Sequence, residues 1–172
     1  MAQPRLNLKN VTSLLVDRDN FTRGLIAQML RGFGMEPPLL AGSGAEAKAF
    51  LESSQPDICF FEGALPDMTA AELIGWIRRQ SKKNLRFVPI IVLSGYTQLR
   101  MISMARDGGA NIVLKKPISP QTLFDRILWV ARTTRPFLET SNYVGPDRRF
   151  HDVLPPDGQY KREFDAPLAQ EA

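Results

Sequence analysis

The sequence predicts a doubly wound α/β fold, in which helices cover both faces of a five-stranded parallel sheet. Two observations predict it. Short apolar runs alternate with helical segments five times between residues 11 and 132. The runs are continuously apolar rather than alternating in polarity, as in parallel strands buried on both faces. Right-handed crossovers between such strands place helices on both faces, as in folds of the flavodoxin type.

The first three strand–helix pairs occupy residues 12–80. The helix predicted at 21–33 carries hydrophobic residues at every fourth position from Phe21 to Phe33. Ile26 and Leu30 widen this apolar stripe, which we expect to face the core. The strand at 37–41 begins with two prolines and is therefore predicted at the edge of the sheet. The other elements of this part are a strand at 12–16, a helix at 45–51, a strand at 57–61 and a helix at 70–80.

The last two pairs lie at residues 88–132. Apolar strands predicted at 88–93 and 112–114 flank a weaker helix at 98–106, which ends at a Gly-Gly pair. The final helix, up to residue 132, begins at Ser119-Pro120, because serine is a preferred N-cap and proline suits the first helical position. A basic cluster precedes the fourth strand, and we interpret it as a solvated helix end; it comprises Arg78, Arg79, Lys82 and Lys83.

Residues 133–172 are predicted to be an extended C-terminal tail rather than a second globular domain, and residues 1–10 a short N-terminal segment. The tail holds 5 of the 13 prolines and shows no apolar periodicity. Its aromatic residues are costly to leave in water, so we expect the part around 135–150 to dock on its own domain, near the helix ending at 132, or on a partner. The docking residues we expect are Phe137, Tyr143, Arg148, Arg149 and Phe150.

Composition excludes several classes of site. A single cysteine, Cys59, permits no internal disulfide, which fits a reducing cytosol. A single histidine, His151, leaves no basis for a zinc site or for a Cys–His or Ser–His nucleophile pair. The first residues contain no apolar h-region, so we expect no signal peptide, and no apolar stretch is long enough to span a membrane. We therefore expect a cytoplasmic, non-enzymatic protein, with no room for an output domain after residue 132.

Polar residues stand where four of the predicted strands end. Asp17-Arg18-Asp19 follows the first strand, Glu62 the third and Ser94 the fourth; Lys116-Pro117 follows the fifth. Because sites in doubly wound sheets lie outside the carboxyl ends of the strands, these side chains are predicted to share one rim.

These residues and the order of elements resemble the receiver domain of two-component response regulators, of the CheY-like type, over about residues 10–132. The matching pieces are LLVDRD, FFEGALPDM, VPIIVLSG and GANIVLKKPIS. The resemblance implies an acidic pair that binds Mg²⁺ after the first strand, with Asp17 as its first member. It also implies phosphate contacts from Ser94 and Lys116, and a cis peptide bond before Pro117. The tail motif YVGPDRR resembles the C-terminal extension of stand-alone receivers from alphaproteobacteria.

Three positions depart from that family. Glu62 stands at the position of the phosphoacceptor aspartate, Arg18 at the second metal-binding acid, and Val113 at a position often held by an aromatic switch residue. Replacing an acid by Arg18 removes an oxygen ligand, so at most a weak Mg²⁺ site at Asp17 is expected. We expect Glu62 to pair with Lys116 or Arg18, because an unpaired carboxylate among apolar strand ends is costly.

The favoured hypothesis is a stand-alone pseudo-receiver that acts in two-component signalling through protein contacts and needs no cofactor. Its expected partners are a histidine kinase or another signalling protein, with a homodimer also open, and no membrane. The first alternative is a response regulator in which Glu62 still accepts a phosphoryl group. The second is a nucleotide or nucleic-acid binder, since residues 1–132 carry a net charge of +6 against −2 for 133–172.

Overall fold

The computed structural model describes residues 7–95, 99–133 and 136–148. Their strands are β1 (Ser13–Val16), β2 (Leu39–Ala41), β3 (Ile58–Glu62), β4 (Ile90–Ser94), β5 (Ile112–Lys115), β6 (Phe137–Glu139) and β7 (Val144–Pro146). Their helices are α1 (Asn20–Gly32), α2 (Gly44–Ser53), α3 (Ala70–Arg78), α4 (Lys83–Arg86), α5 (Leu99–Asp107) and α6 (Pro120–Arg132). Within these ranges, no helix is long and apolar enough to cross a lipid bilayer.

The main sheet is parallel and five-stranded, in the order β2-β1-β3-β4-β5, which confirms the predicted doubly wound fold. Successive strand residues point to opposite faces. On β3, Cys59 and Phe61 pack against α2 and α3, whereas Phe60 packs against α1 and α6. Both faces are therefore covered, which explains why the strands read as continuous apolar runs.

The ends of the elements follow from local chemistry. Asp19 caps α1 by accepting a hydrogen bond from the Thr22 amide at 2.9 Å, and Ser119 caps α6 through the Thr122 amide at 3.1 Å. β4 begins at Ile90, two residues later than predicted, just after Pro89, which has no amide hydrogen for a ladder.

The predicted apolar stripe of α1 is wrong at its start and right further along the helix. Phe21 and Leu25 are 78% and 45% exposed, whereas Ile26 and Leu30 are buried against the sheet. Because 3.6 residues complete a helical turn, residues spaced four apart shift gradually around the helix. The row that begins at Phe21 therefore starts outside the buried face.

The chain after α6 is more structured than an extended tail. β6 and β7 form a two-stranded antiparallel hairpin, in which Phe137 pairs with Pro146 and Glu139 with Val144. We call residues 136–148 the C-terminal hairpin. A two-stranded hairpin is marginal by itself in water, so its contacts with the domain matter for its stability.

Candidate functional site

Four of the predicted site residues meet at the carboxyl ends of the strands. Asp17 directly follows β1, Glu62 and Ser94 end β3 and β4, and Lys116 directly follows β5. The first three are buried, with 2%, 7% and 3% of their surface exposed. A buried rim of two carboxylates and a hydroxyl demands a compensating cation, since isolated charges are expensive to bury.

Lys116 supplies that cation to both carboxylates. Its Nζ lies 2.5 Å from Asp17 Oδ2 and also donates a hydrogen bond to Glu62 Oε2. The expectation that Glu62 pairs with a nearby base is thus confirmed for Lys116. Burial by itself lowers the pKa of Lys116, but hydrogen bonds to and charges on Asp17 and Glu62 outweigh it, so that pKa lies above its ordinary value.

Backbone amides occupy the remaining carboxylate oxygens. The Asp19 amide donates to Asp17 Oδ1 at 2.8 Å, and the Gly63 amide donates to Glu62 Oε1 at 3.0 Å. Each of the four oxygens therefore accepts at least one hydrogen bond. The longer glutamate side chain folds back onto its own backbone on one side and reaches Lys116 on the other.

The two residues after Asp17, Arg18 and Asp19, are exposed. The Asp19 carboxylate serves as the cap of α1, and its hydrogen bonds from Thr22 lower the pKa of Asp19. Val113 is half-buried, with its side chain packed against the core on the α2–α3 face.

The turn after β5 and the residue after β3 fix the shape of the rim. The peptide bond between Lys116 and Pro117 is cis, as expected. The Lys116 amide donates to the Ser94 carbonyl at 2.9 Å, which continues the ladder between β4 and β5. A Cβ at Gly63 would lie 2.7 Å from Ser94 Oγ, so a side chain at this position would require Ser94 to shift.

The loop after β3 is held by a carboxylate that sequence reasoning missed. Asp67 accepts hydrogen bonds from the Gly44 amide at 2.8 Å and the Ala45 amide at 2.9 Å, at the first turn of α2. These bonds, led by that from Gly44, lower the pKa of Asp67. The signal available in the sequence was only an aspartate two residues before the Thr69 cap of α3.

The interpretation of Arg78 as part of a solvated helix end is wrong. Its side chain is 1% exposed and donates five hydrogen bonds of 2.8–3.2 Å. The acceptors are the carbonyl oxygens of Arg86, Val88 and Gly109 and the Asn111 side chain. Burial lowers the pKa of Arg78 to about 10.

The C-terminal hairpin docks at the amino-terminal ends of β4 and β5, away from the carboxylate site. The Phe137 ring lies 5.0 Å from the Arg78 guanidinium and 4.9 Å from the Phe87 ring, in edge contact. Arg148 lies 2.5 Å from Asp107. These contacts are with elements other than the final helix, near which docking was expected.

Two further contacts lie within the hairpin and fix its own conformation. Tyr143 is 9% exposed, and its hydroxyl donates to the Pro146 carbonyl at 2.6 Å. The Arg148 guanidinium lies 4.2 Å from the Tyr143 ring. The predicted docking residues Arg149 and Phe150 lie outside the described residues.

The carboxylates do not form a ready metal site. In the described ranges, no group of three or more Asp, Glu, His or Cys side chains is placed to hold a metal ion. Asp17 and Glu62 already accept hydrogen bonds on every oxygen, and Arg18 occupies the position of a further acid. Mg²⁺ entering here would compete with the Lys116 ammonium for both carboxylates.

Comparison with known proteins identifies the architecture. CheY4, a chemotaxis response regulator of Vibrio cholerae, superimposes with a TM-score of 0.65 at 28% identity, covering 71% of this chain and 99% of CheY4. The receiver domain of the sensor histidine kinase PA1611 from Pseudomonas aeruginosa gives 0.63 at 27% identity, covering 71% and 98%. That structure has a magnesium ion coordinated in its active-site cleft.

A curated relative extends the similarity to transcriptional regulators. The transcriptional regulatory protein PdtaR of Mycobacterium tuberculosis is 31% identical over 114 residues, which are 66% of this chain and 53% of PdtaR. The chain thus matches about half of that relative's length. The response regulator receiver domain family matches residues 13–128. With the strand order and the rim of Asp17, Ser94 and Lys116, this match shows that the chain belongs to the receiver domain family of two-component signalling.

Proposed function

We propose that this chain is a pseudo-receiver, which signals through protein contacts and does not accept a phosphoryl group at Glu62. The observation that carries the proposal is the bridge from Lys116 Nζ to both Asp17 and Glu62. A receiver must offer a carboxylate oxygen to an incoming phosphoryl group. Here both oxygens of Glu62 are already engaged, by Lys116 and by the Gly63 amide.

The geometry of glutamate argues the same way. Phosphoryl transfer depends almost entirely on positioning and charge neutralisation. The additional methylene of Glu62 places its oxygens roughly 1 Å from where an aspartate would hold them, and a misplacement on that scale can cost about a hundredfold in rate. The Glu62 carboxylate instead accepts a hydrogen bond from the Lys116 ammonium, so an internal ion pair takes the place of the phosphoryl contact.

Charge around the metal position supports the proposal as well. Arg18 adds a positive charge where a second acid would attract Mg²⁺, and Lys116 neutralises Asp17 directly. We therefore propose that the chain binds Mg²⁺ weakly and keeps a single signalling conformation. Its partners are then a histidine kinase or another signalling protein that recognises that conformation.

Acetyl phosphate with Mg²⁺, followed by intact-mass measurement, tests the proposal. We expect no phosphoryl adduct on the wild-type chain and none on Glu62→Gln. The double variant Arg18→Asp/Glu62→Asp restores the family's acidic pair and acceptor, and its phosphorylation would show that the fold and reagent are competent. A stoichiometric adduct on the wild-type chain that Glu62→Gln abolishes would overturn the proposal in favour of a glutamate acceptor.

A further inference from the structure

β5 is an edge strand of the main sheet with side-chain contacts near both of its ends. It lies at the edge of the sheet and, in the described part of the chain, pairs only with β4. It has four residues, of which Ile112 and Val113 are half-buried and Lys115 is exposed. Because β5 has a ladder on one side and is only partly buried, contacts at its ends help to fix its register.

The anchor at its start is Arg78. Its guanidinium donates to the Gly109 carbonyl from Nε at 3.1 Å and from Nη2 at 2.9 Å, and to Asn111 Oδ1 at 3.2 Å. Asn111 in turn makes two hydrogen bonds with the start of β4, each of 2.9 Å. Its side-chain Oδ1 accepts from the Ile90 amide, and its backbone amide donates to the Ile90 carbonyl. Arg78 thereby fixes the starts of both strands.

The C-terminal hairpin closes over this anchor. The Phe137 ring covers the Arg78 guanidinium at 5.0 Å. Gly109 has φ +104°, and a Cβ there would lie 2.6 Å from the Val144 carbonyl oxygen, so β7 presses directly on the turn before β5. Arg148 holds Asp107, the last residue of α5, at 2.5 Å. The hairpin therefore contacts residues 107–109, which precede β5, as well as the Arg78 side chain.

The other end of β5 is Lys116, the cation of the carboxylate site. The hairpin contacts the chain at Gly109, and only the rest of the 109–111 turn and the four residues of β5 lie between that contact and Lys116. We propose that Phe137 and Arg148 are positioning residues, which hold Lys116 on Asp17 and Glu62 through β5. By thermodynamic reciprocity, a protein that engages the hairpin alters the site, and a change at the site alters the hairpin.

This coupling does not depend on whether Glu62 accepts a phosphoryl group. It requires only that a displacement at the start of β5 reach Lys116 at its other end. A negative result in its test therefore leaves the acetyl phosphate test unaffected, and the reverse also holds. The side chain of Lys116 is 19% exposed and ion-paired, whereas its neighbour Lys115 is exposed. The relative reactivity of these two amines reports how firmly Lys116 is held.

The experiment is amine acylation of the full-length folded protein, with labelling of each lysine measured by peptide mass spectrometry. Phe137→Ala removes the cation–π contact on Arg78, and we expect the ratio of Lys116 to Lys115 labelling to rise roughly twofold to fivefold. Leu138→Ala, at an exposed position of the same hairpin, is the matched control and should leave the ratio at the wild-type value.

The ion pair gives an independent second measurement, which decides the matter if Phe137→Ala does not fold. Arg148→Asp and Asp107→Arg should each raise the labelling ratio, and the double variant, which reverses the pair, should bring it back towards the wild-type value. The proposal is overturned if hydrogen exchange at Val144 and Gly145 shows a loosened hairpin while the Lys116 to Lys115 ratio stays unchanged.

Discussion

Replacing Arg78 by methionine removes a buried guanidinium but keeps most of its apolar stem. The variant loses five hydrogen bonds from a side chain that is 1% exposed. Asn111 Oδ1 keeps its bond from the Ile90 amide, and the Arg86 carbonyl is only partly buried. The Val88 and Gly109 carbonyls lose their guanidinium donors in buried surroundings.

The expected cost follows from those two carbonyls. A buried acceptor left unsatisfied costs about 1–3 kcal/mol, so the pair costs about 2–6 kcal/mol. Removing Arg78 also relieves the desolvation that lowers its pKa to about 10, which offsets part of the loss. We therefore expect the free energy of unfolding to fall by about 2–4 kcal/mol, a large share of the roughly 5–15 kcal/mol available to a domain.

Urea unfolding followed by circular dichroism measures this change. With a slope of roughly 2 kcal/mol per molar urea, the midpoint should fall by about 1–2 M. Arg79→Met changes the exposed neighbour in the same way and should stay within about 0.5 kcal/mol of wild type. If Arg78→Met were as stable as Arg79→Met, the buried hydrogen bonds of Arg78 would not hold the starts of β4 and β5.

Three further predictions concern other buried or capped groups. Burial raises the pKa of the Cys59 thiol to about 12, so thiol reagents at pH 8 should label the protein only after unfolding, and prompt labelling of the folded chain would contradict its burial. Gly63→Ala forces a contact with Ser94 Oγ and should lower the thermal stability by about 1–3 kcal/mol; adding Ser94→Gly should recover part of the loss, and a neutral Gly63→Ala would refute the close contact. Hydrogen bonds from the Thr69 amide and hydroxyl lower the pKa of Glu72 from 4.5. The stability that they add to the fold is therefore complete above about pH 4.5 and is lost as the pH falls through the lowered pKa. Glu72→Gln should weaken the dependence of the free energy of unfolding on acid pH in urea titrations, and an unchanged dependence would contradict this prediction.

The sequence by itself determined the order of the elements and the rim of the site. Continuous apolar runs predicted the strands, because the parallel sheet is buried on both faces. Since all strands of a parallel sheet end at the same edge, the polar residues that end these runs were predicted to lie there together. Glu62, Ser94 and Lys116 could be placed there before any coordinates, since a strand's end is a local property of the chain. The departures at Glu62 and Arg18 were equally visible.

Only the tertiary structure decided which of these groups pair and which basic residue is buried. Lys116 lies 99 residues from Asp17 and 54 from Glu62 along the chain, and the choice of Lys116 as the bridging cation is a matter of three-dimensional reach. Arg78 resembled its exposed neighbours in sequence, because its carbonyl acceptors and the Phe137 ring come from segments up to 59 residues away that converge only on folding. Hydrophobic periodicity carries no information about such contacts, since a buried guanidinium is stabilised by distant backbone oxygens rather than by its place on a helical stripe.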